Sequence, residues 1–142
     1  MAGSGSGAVI HLDTSFLVDL LREAAQEKTG AAHQFLEEHR ESPLAVSLFV
    51  ACELESGAAC SENRQRERGR VDAILRTLPT TLPGDGFARL YGDLFAELRK
   101  RGEAVSCMDL LIATAARLDD AGLVTRNVKD FERIPELRVL SY

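Results

Sequence analysis

The 142-residue sequence has no tryptophan, four prolines and three cysteines, and none of its apolar runs approaches the roughly 20 residues needed to cross a bilayer. No basic segment followed by an apolar core opens the chain, so no secretory leader is expected. Cys52, Cys60 and Cys107 are odd in number and form no C-x-x-C pair, which argues against a disulfide framework or a thiolate zinc site. They read as small buried hydrophobes in a reducing cytosol, and the expected location is cytoplasmic. His11, His33 and His39 show no H-E-x-x-H or other ligand spacing. A Walker P-loop, a G-x-G-x-x-G turn and a legible Ser–His–Asp or Cys–His arrangement are also missing.

What remains is a chain of ordinary globular composition, 45% hydrophobic and 27% charged, sized for one domain. Residues 1–7, rich in Gly and Ser, read as a flexible tail or an expression remnant, leaving 8–142 as the single domain. The net charge of −5 gives no global attraction for nucleic acid. Basic residues are nonetheless grouped. Arg64, Arg66, Arg68 and Arg70 form one run and Arg99-Lys100-Arg101 another, both read as solvated helix faces, while Arg126, Lys129 and Arg133 form a third.

Residues 9–13 read as a buried strand and residues 14 to about 25 as a helix, with Phe16, Leu17, Leu20 and Leu21 on one face and Asp19 pointing away. Further helices are expected over about 31–40, 48–59, 63–78 and 87–101, the last stopped by Gly102. Ser42-Pro43 breaks the chain before a strand at 44–47, and Pro79 and Pro83-Gly84 bracket a brief extended piece. Ser106 opens a helix to about residue 121 that Gly122 ends; 123–125 and 137–141 read as strands. Strands separated by helices imply βαβ units, and so an α/β architecture with a mainly parallel sheet between helical layers. Function in such sheets sits beyond the carboxyl ends of the strands, where the strand order reverses. Asp13 and Asn127 each follow a strand, so their segments are expected to meet at one edge of the sheet.

Four segments far apart in the chain set an acid or amide against apolar residues: Asp13, Glu53, Asp109, and Asn127 with Asp130. A lone carboxylate there costs several kcal/mol to bury unless something pairs with it. Asp13 also suits a helix N-cap, a role open to Thr14 and Ser15 as well. Glu53 falls on the side of its helix that carries Phe49, Val50 and Gly57, whereas Glu55 falls on the solvated side; the competing partner for Glu53 is an inward-reaching Arg. Asp109 completes a capping box with Ser106. Asn127 and Asp130 are ordinary turn residues too. A divalent metal is the shared partner that would reconcile these acids, whereas Asp72, Asp85, Asp93 and Asp120 read as surface residues. His11 shares Asp13's face of the first strand and reads as a satisfied core histidine, a supporting role beneath Asp13 being the alternative.

The segments Val9-Ile10-His11-Leu12-Asp13-Thr14-Ser15, Cys52-Glu53-Leu54-Glu55-Ser56-Gly57 and Met108-Asp109-Leu110-Leu111-Ile112-Ala113 resemble PIN-domain nucleases in order and approximate spacing. The ending Thr125-Arg126-Asn127-Val128-Lys129-Asp130-Phe131-Glu132-Arg133-Ile134-Pro135 is similar to the VapC toxins of bacterial toxin–antitoxin pairs. The resemblance implies a three-layer α/β/α PIN-like fold and a metal-dependent endoribonuclease. It maps the catalytic metal ligands onto Asp13, Glu53 and Asp109, with Asp13 and Asp109 on the better-occupied Mg2+ or Mn2+ ion and Glu53 a ligand or an orienter of the attacking water. Ser15 falls at the family's hydroxyl position. The fourth position, often Asp, is Asn127 here, so Asp130 or water is expected to complete the shell. Arg126 and Lys129 are the expected contacts to RNA phosphates. The implied partners are an RNA substrate, a cognate VapB-like antitoxin covering the acidic pocket, and a second copy in a homodimer; no membrane is implied. Without metal, at least one clustered carboxylate should have a raised pKa. Two other classes remain as alternatives. One is a haloacid-dehalogenase-like phosphatase, which wants a second Asp where Ser15 stands. The other is a PIN-like interaction module without chemistry, which Asn127 invites.

Overall fold

Ile10, His11 and Leu12 form strand β1 and all three are buried, as an apolar run covered on both faces requires. The computed structural model describes residues 8–142; the tail expected over 1–7 lies outside the described residues. After β1 (Ile10–Leu12) come α1 (Thr14–Ala25), α2 (Ala31–Glu38), β2 (Leu44–Ser47), α3 (Leu48–Ala59), α4 (Arg64–Thr77) and β3 (Thr80–Thr81). The chain continues through α5 (Phe87–Lys100), α6 (Cys107–Leu118), β4 (Gly122–Val124), the single turn α7 (Val128–Phe131) and β5 (Arg138–Leu140).

The sheet order is β3-β2-β1-β4-β5 and every pairing is parallel. The chain first steps outward from β1 through β2 to β3, then returns to lay β4 on the other flank of β1. The strand order therefore reverses between β1 and β4. Their register sets Leu12 opposite Val124, so both strands end at one level and the residues that follow stand side by side. The meeting point is thus the carboxyl end of the sheet's middle, not a lateral edge.

Helices pack on one another as α1 on α2 and α3, α3 on α4, and α5 on α6. Leu12, Phe16, Leu17, Val46, Leu123, Val124 and Phe131 lose all contact with solvent in the core between them. Fully burying an aromatic such as Phe16 or Phe131 contributes roughly 1.5–3 kcal/mol. The short α7 is held down by Phe131, which fixes the loop after β4.

Three expectations need correction. Cys52, Cys60 and Cys107 are all exposed, because they fall on the outer face of α3, at its C-cap and in the first turn of α6. Gly122 does not end α6. The helix stops at Leu118, Asp120 takes the left-handed turn at φ 52°, and Gly122 opens β4. Glycine is suited there because a Cβ would lie 2.8 Å from the Arg138 guanidinium of the neighbouring strand. Asp19 does not point away into solvent; its carboxylate is a hub described below.

Candidate active site at the carboxyl end of the sheet

Asp13 occupies the N-cap position of α1, yet its side chain makes no capping bond. The carboxylate, 3% exposed, turns instead toward the β1–β4 junction, where Oδ2 accepts the Ser15 hydroxyl at 2.8 Å and the Thr125 hydroxyl at 2.7 Å. Its backbone N–H donates to Val124 O at 3.0 Å, so the strand register itself delivers Thr125 to Asp13. Thr14 and Ser15 do not cap the helix either, since both hydroxyls are spent on acids.

Glu53 on α3 is half-buried, and its Oε1 accepts the Thr14 hydroxyl at 2.5 Å. The inward Arg envisaged as its partner is not there: among the described residues Glu53 makes no ion pair. Glu55 is exposed, as helical phase requires.

Asp109 stands at the third position of α6, where its N–H donates to the Ser106 hydroxyl at 3.1 Å, so the expected capping contact forms. Its carboxyl also belongs to the cluster. Burial pushes its pKa up, hydrogen bonding to Ser106 opposes this, and the charges of Asp13, Asp130 and Glu53 push it up further. Asp109 therefore lies within electrostatic reach of three acids from other parts of the chain. None of the four is neutralised by an ion pair among the described residues.

The loop from β4 into α7 is braced from beneath. Arg126 N–H donates to Ser15 Oγ at 3.0 Å and Asn127 N–H to Thr125 Oγ1 at 2.9 Å. Asn127 takes the N-cap position of α7 without a side-chain capping bond, and its side chain is exposed. Asp130 and Lys129 are exposed on α7. Arg126 reaches the flank of α1, where Nη1 donates to Asp19 Oδ1 at 2.9 Å. Arg133 donates to Ala104 O at 2.9 Å and so serves the fold.

Behind Asp13, the buried His11 holds Asp119 Oδ2 with Nε2 at 2.7 Å, while Nδ1 has no partner among the described residues. It is a core histidine, though satisfied at one nitrogen only. Thr125, Asp119 and Tyr142 were not singled out from the sequence, while Thr14 was read only as a possible helix cap and Asp19 only as a solvent-facing residue. Thr125 carried one usable signal, a hydroxyl directly after a strand next to the switch point.

Among the described residues no three His, Cys, Asp or Glu side chains converge as a ready-made ion cage. The donor chemistry is nevertheless that of a hard cation: carboxylate oxygens, braced by neutral hydroxyls and left without cationic partners. Magnesium in particular keeps several waters and is commonly bound by one or two carboxylates, so it suits an open basin of this kind.

The PIN domain family model matches residues 10–137. A ribonuclease VapC2 from Rickettsia felis is 34% identical over 98 residues, 69% of this chain and 73% of its own length. The crystal structure of VapBC2 from Rickettsia felis, bound to a DNA fragment from their promoter, superposes with a TM-score of 0.85 at 28% identity, covering 94% of this chain and 98% of that one. A toxin–antitoxin complex from Klebsiella pneumoniae superposes at 0.65 with 29% identity, covering 92% and 95%. The chain belongs to the PIN domain family, within its VapC group.

Proposed function

We propose that this protein is the toxin of a VapBC-type pair, a metal-dependent endoribonuclease acting in the cytoplasm. The observation that carries the reading is the gathering of Asp13, Glu53, Asp109 and Asp130 at the sheet's switch point in a chain of this family. No described helix is long and apolar enough to cross a membrane.

Asp13 and Asp109 would hold a Mg2+ or Mn2+ ion together with water, and Glu53, Asp130 or Asn127 would complete or orient that shell. Such an ion supplies charge stabilisation on the scissile phosphate and a more acidic water. The protein's own part is positional. Ser15 and Thr125 fix the orientation of Asp13 by donating their hydroxyls to it. Thr14 holds Oε1 of Glu53, leaving Oε2 to accept a hydrogen bond from the attacking water. Arg126 and Lys129 would contact phosphates flanking the scissile bond. An unpaired RNA strand, whose backbone can be drawn into a recess, suits this shape better than a duplex.

Beside the basin, α1, α3 and α4 enclose a groove of about 340 Å3 lined by Val18, Leu21, Leu54 and Val71, with Glu53 among its walls and Arg22 and Arg70 beside it. An antitoxin segment lying there would reach Glu53 at the edge of the basin, which supports the partner implied by the family. The homodimer belongs to the same reading.

Purified protein freed of antitoxin and incubated with total RNA should cleave only when Mg2+ or Mn2+ is present. Asp109→Ala should abolish the cuts. Metal binding without cleavage by the wild type would instead favour an interaction module.

A further inference from the structure

Asp19 lies one helical turn after Ser15 on α1 and therefore on the same side as the acidic basin. Its side chain is 15% exposed and collects three donors: Arg126 Nη1 at 2.9 Å and Arg22 Nη1 at 2.8 Å on Oδ1, and the Tyr142 hydroxyl at 2.5 Å on Oδ2. The Tyr142 ring packs edge-on against the buried Phe16, 4.8 Å between centroids, which anchors the hydroxyl. Burial and the bond to Asp19 push the Tyr142 phenol up, so it remains a donor at neutral pH.

Two guanidiniums on one carboxylate leave one net positive charge at the lip of an otherwise acidic basin. Arg126 is 54% exposed, so Asp19 holds one edge of its fork while other N–H groups face solvent. An exposed ion pair contributes little to stability, whereas a pre-positioned guanidinium loses less freedom when it meets a phosphate.

We infer that Asp19, steadied by Tyr142, is a positioning residue: it holds the Arg126 guanidinium at the basin rim, where the backbone of a bound RNA strand passes. This rests on the reading of Arg126 as a phosphate contact.

Steady-state cleavage of a single-stranded RNA by the full chain with Mg2+, over a salt series, tests it. Arg126→Ala should raise KM about tenfold and reduce its salt slope by about 0.7, one phosphate contact on a single strand. Asp19→Asn and Tyr142→Phe should raise KM roughly three- to tenfold with kcat within about twofold. The double variant Asp19→Asn/Arg126→Ala should match Arg126→Ala alone, because the removed interactions are one chain of contacts. Tyr142→Phe loses a single hydroxyl and keeps the test open if Asp19→Asn folds poorly. Full additivity in the double variant, or unchanged KM in Asp19→Asn and Tyr142→Phe, would overturn the positioning role while leaving the phosphate contact intact. Unchanged KM and salt slope in Arg126→Ala would overturn the phosphate contact, and the positioning role with it.

Discussion

Thr125 donates its hydroxyl to the Asp13 carboxylate over 2.7 Å, joining residues 112 positions apart at the ends of two adjacent parallel strands. The bond makes the orientation of this buried acid a product of sheet register. It also makes the site sensitive to a residue that need not touch substrate.

Thr125→Val keeps the side-chain volume and removes that donor. The buried Asp13 carboxylate then relies on Ser15 alone, at a cost of about 1–3 kcal/mol in stability. Metal affinity, measured by calorimetry, should fall roughly 10–100-fold, as loss of a supporting hydrogen bond to a ligand does. Urea unfolding gives the first quantity. Unaltered affinity would detach Asp13 from metal binding.

Asp109 predicts the pH behaviour of the metal-free protein. Its folded pKa is raised, so the folded state binds more protons than the unfolded one between the ordinary aspartate value and the raised one. Stability should therefore fall as pH rises through that window, and level off above it. Asp109→Asn should flatten the slope and stabilise the metal-free protein at neutral pH. Denaturant midpoints recorded across the acid range in chelator decide this; a slope unchanged in the variant would refute it.

Glu23 predicts the opposite sign. Burial alone would raise its pKa, but bonds from the His33 ring and from the N–H groups of His33, Ala32 and Gly30 outweigh it and lower the value from 4.5 to about 2. The carboxylate at the end of α1 thereby caps the start of α2. Its contribution is fully present above the ordinary value and should be lost as pH falls toward 2. Glu23→Gln should cost about 1–2 kcal/mol at neutral pH and blunt the acid transition seen by circular dichroism. Gly30→Ala should also destabilise, since its Cβ would fall 2.5 Å from Glu23 Oε2.

His11 predicts a cost at distance from the acids. Asp119 accepts from its Nε2 at 2.7 Å, and Nδ1 is already without a partner among the described residues. Asp119→Ala would leave the buried ring with neither nitrogen paired, at about 1–3 kcal/mol. Thermal unfolding of Asp119→Ala beside Asp72→Ala, an exposed helical control, separates this from loss of surface charge.

Several boundaries follow from short-range rules and were legible in the chain itself. The turns at Asp13-Thr14 and Ser47-Leu48 open α1 and α3, and Ser106 caps α6, because polar side chains before an apolar period are the local signal for a helix start. Asp13, Glu53 and Asp109 stood out because each acid sits among apolar neighbours. The cysteines misled, since burial depends on which helix face meets a neighbour and a small thiol carries little pattern of its own.

By itself, then, the amino-acid order determined the alternation of strands and helices, the parallel sheet this alternation demands, and which acids had to find company. The folded arrangement alone decided who that company is: Thr125 for Asp13, Thr14 for Glu53, Asp119 for His11, and Arg126 and Tyr142 for Asp19. The division has a physical origin. Helix starts and strand patterns arise from hydrogen bonds and apolar periods spanning a few residues, whereas these pairings depend on strand order and register, which the whole core sets at once.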